Sequence, residues 1–111
     1  MKFMVCVYES KTPNSHSESE VAAIDALNDE LESLGYRFFA GGMEHSAKAS
    51  IIDARSGTVN QSSGPIFDTA EYLSGFWILD VPDEETAKDV AIKASRACNR
   101  RIELRKFLGQ N

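Results

Sequence analysis

The sequence predicts a single α+β domain in which a four-stranded antiparallel sheet carries two helices on one face. Its 111 residues are enough for one hydrophobic core and too few for two domains. Four segments show the apolar alternation of core strands, and two show the three- and four-residue spacing of amphipathic helices. Their order along the chain is strand, helix, strand, a short hairpin, strand, helix, strand.

The first half of the chain supplies two strands and the helix between them. Lys2 to Tyr8 is apolar on both faces, which is typical of a strand in the middle of a sheet. After a polar loop, Ser17 and Glu20 have the spacing of a capping box, and apolar residues then recur at helical spacing until Gly35. The aromatic stretch from Tyr36 to Met43 predicts the second strand.

The middle of the chain is interpreted as a hairpin followed by a loop segment that contains glycine and proline. Ser50 to Arg55 and Thr58 to Gln61 flank the turn Ser56–Gly57, a pattern that predicts two short paired strands. In residues 62–75, Gly64–Pro65 and Gly75 indicate loop geometry around a short helical turn.

The last third of the chain repeats the strand, helix, strand order. Residues 76–81 are largely apolar on both faces and end at Pro82. Asp83 is a predicted N-cap for a second helix, whose apolar stripe ends at Cys98. Arg101 to Phe107 alternates apolar and charged residues, so we expect one face of this strand to meet the core.

This element order is that of the split βαβ, or ferredoxin-like, fold, in which both helices cover the same face of the sheet. Two of the strands are apolar on their uncovered side as well, and a monomer would therefore expose an apolar patch of several hundred Å², about the largest seen on soluble monomers. The sequence thus predicts a homodimer through the sheet face, forming a dimeric α+β barrel.

Composition and charge argue against several classes of partner. Residues 93–106 carry a net charge of +5 within a chain of −5, and the acidic remainder would repel a nucleic acid. No apolar run approaches the roughly 20 residues of a membrane helix, and no secretory signal is visible, so we expect no membrane partner and a cytoplasmic location. Cys6 and Cys98 are then expected to be reduced, buried thiols.

Residues 62–81 resemble the DGPF branch of the YCII-related domain family, whose run reads roughly DGPFAETKEQLGGF. Seven positions match without a gap, and they are Gly64, Pro65, Thr69, Glu71, Leu73, Gly75 and Phe76. Asp68 replaces an equivalent acid, and Trp77 occupies a position that is usually aromatic. MKFMVCVY, FFAGG and IELRKF extend the similarity, so the resemblance covers nearly all of residues 1–111 as one domain.

The resemblance implies a dimeric α+β barrel and a largely unsettled activity. The chain departs from the motif at several positions, among them Ser63, Ile66, Ala70 and Tyr72. Another branch of YCII-like proteins is thought to use a histidine on the first helix beside an aspartate. The predicted first helix here contains no histidine, so that pair is not transferred to this chain.

His45 is the first candidate for catalysis. It follows the Gly41–Gly42 turn, and a loop imidazole at the end of a strand can take or give a proton beside a bound ligand. The alternative is a solvated loop histidine. His16 lies in a polar loop beside the capping box, and we expect no role for it in chemistry.

Residues 62–81, which we call the motif segment, contain three polar candidates, namely Asp68, Thr69 and Glu71. On the predicted helical turn, the two carboxylates would face the same way and share a proton or a cation, making a catalytic pair with Thr69 as a ligand contact. The alternative is structural, with Asp68 or Thr69 capping a turn and Glu71 bonding to backbone amides.

The strands supply the candidate ligand-binding residues. Arg105 is expected to grip a carboxylate or phosphate, or else to form an ion pair with Glu103 on the same face. Tyr8, Trp77 and Phe39 would line an apolar pocket, or simply pack as core aromatics.

Two classes of function follow from the sequence. The first is a small cofactor-independent enzyme or binding protein for a small organic molecule, with His45, Asp68, Glu71 and Arg105 converging on one cavity. The second is a non-enzymatic interaction or regulatory module, for which the family resemblance implies a link to transcription regulation. No metal or nucleotide cofactor is expected, because the chain shows neither a metal-ligand spacing nor a phosphate-binding loop.

Overall fold

The computed structural model describes residues 1–12 and 15–109. These residues form six strands and two α-helices, namely β1 Lys2–Ser10, α1 Glu18–Ser33, β2 Arg37–Gly42, β3 Ser50–Asp53, β4 Asn60–Ser63, β5 Glu71–Asp80, α2 Glu84–Cys98 and β6 Arg101–Lys106. A 3-10 turn at Ser46–Lys48 connects β2 to β3. Within the described ranges, no helix is long and apolar enough to span a membrane.

The main sheet has the strand order β2-β5-β1-β6, and each neighbouring pair is antiparallel. This order confirms the ferredoxin-like prediction, because each helix connects two strands that have a third strand between them. β3 and β4 pair only with each other and form a separate two-stranded ribbon.

The core lies between the two helices and one face of the sheet. Phe3, Val5 and Val7 of β1 are at most 5% exposed and pack with Leu31 of α1 and Leu79 of β5. Ile102 and Leu104 of β6 are half-buried against the same core, as their alternation predicts. Arg101, Glu103 and Arg105 alternate with them and lie on the other face, which we call the open face.

The open face is apolar at its centre. Met4, Cys6 and Tyr8 of β1 lie beside Phe76 and Ile78 of β5 on this face. Cys6 is nevertheless only 5% exposed, because its larger neighbours cover it. Both cysteines are free and buried, as expected, and burial raises the pKa of each thiol.

Local signals position both helices. Ser17 Oγ accepts a hydrogen bond from the Glu20 backbone N–H, and Glu20 Oε1 accepts one from the Ser17 N–H, so the predicted capping box is confirmed. Asp83 caps α2 by accepting from the Thr86 N–H at 2.7 Å. Gly35 follows α1 with φ of 73°, a left-handed conformation that favours glycine.

Two local predictions are wrong. The return strand of the hairpin is Asn60–Ser63 rather than Thr58 to Gln61, because the turn is longer and its start is fixed by the Asp53 carboxylate bound to Arg55. The predicted helical turn in residues 62–75 does not form. Glu71 instead begins β5, because Glu71 to Leu73 continue the ladder with Ser10 to Tyr8 beyond a bulge.

Candidate functional site

An open groove of about 850 Å³ covers one end of the open face. It collects residues from β1, from residues 43–49 and from residues 65–73, and four of the candidates singled out in the sequence line it, namely Tyr8, His45, Thr69 and Glu71. An adjoining hollow of about 640 Å³ shares Tyr8, Thr69 and Glu71 and adds Arg101 and Glu103 of β6. These volumes are in the range of small-molecule sites.

Backbone hydrogen bonds hold the three segments together. Met43 N donates to Ser74 O at 2.9 Å, which fixes the segment after β2 to β5. Gly64 N donates to Ala49 O at 2.7 Å, which ties the start of the motif segment to β3. Gly75 allows the close approach of β2, since a Cβ there would lie 3.1 Å from the Gly41 carbonyl oxygen.

The geometry of His45 fixes its hydrogen-bonding role. Its Nδ1 caps the 3-10 turn by accepting from the Ala47 backbone N–H at 3.0 Å. Because a backbone N–H can only donate, the proton of the neutral ring lies on Nε2. His45 therefore presents an N–H donor at Nε2. Its ring rests against Tyr72, with centroids 4.5 Å apart.

Tyr8 of β1 contributes a hydroxyl group to the groove. Its hydroxyl donates to Glu103 Oε1 at 3.2 Å, across the β1–β6 ladder. Burial, and secondarily the hydrogen bond to Glu103, raises the pKa of Tyr8. The phenol therefore stays protonated at neutral pH and acts as a donor.

Glu71 is the first residue of β5, and Thr69 lies just before it. Thr69 Oγ1 donates to the Glu71 carbonyl oxygen at 2.6 Å, and the Glu71 carboxylate accepts from Arg101 Nε at 2.9 Å. Arg101 Nη2 contacts the same oxygen, Oε1, so two nitrogens of the guanidinium bind one oxygen of the carboxylate. The groove therefore contains a carboxylate whose position is set by an arginine on the neighbouring strand.

The structure does not bring the remaining candidates into this groove. Asp68 is 80% exposed and forms an ion pair with Lys11. Arg105 pairs with Glu103 at 3.8 Å and lies four residues beyond Arg101, about 13 Å along β6. Trp77 is on the helix side of the sheet, where its Nε1 donates to Asn28 Oδ1 at 2.8 Å.

Sequence reasoning missed Arg101, Lys48 and Tyr72. Lys48 and Tyr72 line the groove, and Arg101 lines the hollow beside it. The alternation of β6 is the signal for Arg101, because it places this residue on the face of Glu103, but only the strand register sets Arg101 opposite Tyr8. Tyr72 is a departure from the family motif, and its contact with His45 depends on a loop that sequence periodicity does not describe.

Metal-ligating side chains do not cluster here. Among residues 1–12 and 15–109, no group of three or more His, Cys, Asp or Glu side chains is arranged to hold a metal ion. The groove offers a ligand the hydrogen-bond donors of His45 and Tyr8, the Glu71 carboxylate that Arg101 binds, and apolar side chains.

Comparison with known proteins gives one clear assignment. A search of curated proteins finds no match. The family model of the YCII-related domain matches residues 1–105, nearly the whole chain. The matched residues include parts of all four strands of the main sheet and both helices. The chain belongs to the YCII-related domain family.

Proposed function

We propose that the protein binds a small organic molecule in the groove on the open face, through a carbonyl or carboxylate oxygen of that molecule. The observation that carries this proposal is the meeting of Tyr8, His45 and Glu71, from three separate segments, around one groove. Nε2 of His45 makes no hydrogen bond within the described residues and is available as a donor. Lys48 adds a positive charge to the same groove.

The groove is also suited to cofactor-independent chemistry. The Nε2–H of His45 is a neutral donor that would stabilise negative charge developing on a ligand oxygen. Glu71 is a carboxylate held in place by Arg101, and such a group can accept a proton from a bound ligand. Ile66 and Phe67 supply apolar contact area for the rest of the molecule. We propose this division of roles between donor and base.

The homodimer is part of the proposal. The open face has an apolar centre, with Phe39 at 54% exposure, and a second copy related by a two-fold axis would cover it. The groove lies at one end of this face, so the partner's sheet would form its missing wall. Glu103 and Arg105 of one copy would then face the same pair in the other.

The test is a thermal-shift screen against small carboxylates, phenols and lactones, with molar mass measured by light scattering. A ligand at about 100 times its dissociation constant stabilises the folded protein by roughly 2.7 kcal/mol, which raises the melting temperature by about 10 °C. We expect a dimer, and a shift that is lost in His45→Asn and retained in Lys88→Ala, a control on the exposed face of α2. A monomer would refute the sheet-to-sheet dimer, and a shift unchanged in His45→Asn would refute the role of this groove.

A specific observation favours the second candidate, a protein-interaction module with a regulatory role. Ile66 and Phe67 are 73% and 78% exposed at the tip of the motif segment. An apolar pair at this exposure suits a protein partner as well as a ligand. If the screen finds no ligand and the double variant Ile66→Ser, Phe67→Ser loses a partner captured by the wild-type protein, the interaction module is the better proposal.

A further inference from the structure

A second cavity lies on the opposite side of the sheet, outside the proposed groove. This helix-side crevice has a volume of about 360 Å³ and opens between α1 and the strands β1, β2 and β5. Its apolar lining includes Val7, Ile24 and Trp77, and its polar lining includes His16, Asn28 and Arg37. The groove function uses none of these side chains.

Arg37 and Asn28 are held in place by hydrogen bonds, but each keeps an N–H group that could bind a ligand. Arg37 Nε donates to Asn28 Oδ1 at 3.1 Å, and Trp77 Nε1 donates to the same oxygen at 2.8 Å. These two bonds orient the Asn28 amide, and they leave its NH₂ group without a partner in the described part of the chain. Arg37 Nη1 is 3.6 Å from Glu32, whose side chain is 60% exposed, while Nη2 makes no contact with a carboxylate within the same residues. A solvated carboxylate such as Glu32 is a weak competitor for a bound anion.

His16 supplies an acceptor to the same crevice. Its Nδ1 lies 3.2 Å from Glu20 Oε1. The hydrogen bond from the Ser17 backbone N–H lowers the pKa of Glu20, so this carboxylate is ionised at neutral pH and can only accept. Nδ1 therefore carries the proton in the neutral ring, and Nε2 is left as a lone-pair acceptor. This is the opposite tautomer to that of His45.

Two other ionisable side chains that line the crevice are paired or uncharged, namely Glu9 and Cys98. The Glu9 carboxylate accepts from Arg100 at 2.9 and 3.2 Å and from the Tyr72 hydroxyl at 3.3 Å. Burial raises the pKa of Cys98 to about 11, so its thiol is uncharged at neutral pH. Arg37 thus remains the cation available to an incoming anion at this site.

We propose that the helix-side crevice is a second binding site, for a small organic acid that also carries a hydroxyl or N–H donor. Arg37 and the Asn28 amide hold its carboxylate, and Nε2 of His16 accepts from its donor group. Val7, Ile24 and Trp77 contact its apolar part. This site is independent of the groove on the open face and of the function proposed for it.

Trp77 provides a direct readout, because it is the single tryptophan of the chain and lines this crevice. The probes are two matched pairs of acids, lactate with propionate and mandelate with phenylacetate, titrated at pH 8 against Trp77 fluorescence. The two acids of each pair have the same carboxylate and carbon skeleton. They differ only in the hydroxyl group. We expect the hydroxy acid to bind about three- to tenfold more tightly, the effect of one net hydrogen bond.

Two variants test the assigned contacts. Arg37→Gln should weaken every acid at least tenfold, because a charged hydrogen-bond donor is lost. His16→Phe, at a position 30% exposed, should abolish the difference within each pair while leaving some affinity for the carboxylate. His45→Asn is the control and should change neither result. The absence of any Trp77 response, equal affinity within both pairs, or a response lost in His45→Asn but kept in Arg37→Gln would overturn the proposal.

Discussion

Arg100 is predicted to be the ionic residue on which the stability of the fold depends most. Its side chain is only 8% exposed, although it lies in the basic segment at the end of the chain. Nε and Nη2 bind the Glu9 carboxylate, and Nη1 donates to the carbonyl oxygens of Cys98 and Asn99. Arg100 therefore joins the end of α2 to the end of β1.

Replacing Arg100 with alanine leaves Glu9, which is 18% exposed, as a largely buried carboxylate without its cation. Removing one partner of a buried ion pair costs about 3 to 5 kcal/mol, because the remaining charge is not solvated. With a denaturant slope of about 2 kcal/mol per molar urea, the unfolding midpoint should fall by roughly 2 M. Arg100→Lys should recover part of the loss, since it keeps the charge but not the set of donors that binds Glu9 and the two carbonyl oxygens together.

Arg55 provides a matched control. It also binds a carboxylate through Nε and Nη2, which donate to Asp53 Oδ1 at 3.0 Å and Oδ2 at 2.8 Å, but its side chain is 90% exposed. Arg55→Ala should leave the urea midpoint unchanged within error, because water screens an exposed pair. If Arg100→Ala unfolds at the same urea concentration as Arg55→Ala, burial of the cluster does not stabilise the fold and the reasoning is refuted.

Three further predictions address pH dependence and local structure. The free energy of unfolding should fall by about 2 kcal/mol between pH 9 and pH 11, because the unfolded Cys98 thiol loses its proton near 9.0 and the folded thiol near 11. Urea melts of the wild-type protein should show this loss, and melts of Cys98→Ala should show a smaller one, which comes from Cys6 and Tyr8, whose pKa values are also raised. Gly75→Ala should destabilise the protein by about 1 to 3 kcal/mol, since the new Cβ would lie 3.1 Å from the Gly41 carbonyl oxygen. That oxygen cannot move away without disturbing the pairing of β2 with β5. An unchanged thermal melt would contradict this prediction. Ser17→Ala should cost about 1 kcal/mol in urea melts through loss of the N-cap of α1, with Ser33→Ala at the other end of the helix as the control.

The helices and the layer order of this fold are predictable from the sequence because local interactions encode them. The capping box at Ser17 and Glu20 involves residues three positions apart, and Gly35 ends α1 through its own backbone conformation. The start of β5 is not predictable in the same way. Glu71 is extended because Ser10 lies opposite it in the ladder, and that pairing joins residues far apart in the chain.

The candidate site was predicted only in part, for a related reason. Tyr8, His45, Thr69 and Glu71 do line one groove, but the partner of Glu71 is Arg101 rather than Asp68. Strand alternation alone does not say which face the helices cover, so it could not separate Tyr8 from Trp77. Nor does the charge pattern distinguish the buried Arg100 from the exposed Arg101 beside it.

The most direct test of the central claim is an amide NMR titration of the protein with small carboxylates, phenols and lactones. We predict shifts concentrated at the amides of Ala47, Thr69 and Glu71, and their loss in both His45→Phe and His45→Asn. The first variant keeps an aromatic ring against Tyr72, the second keeps an acceptor for the Ala47 N–H, and neither has the Nε2 donor. Shifts that avoid these amides, or that persist unchanged in both variants, would contradict the assignment of this groove as the binding site.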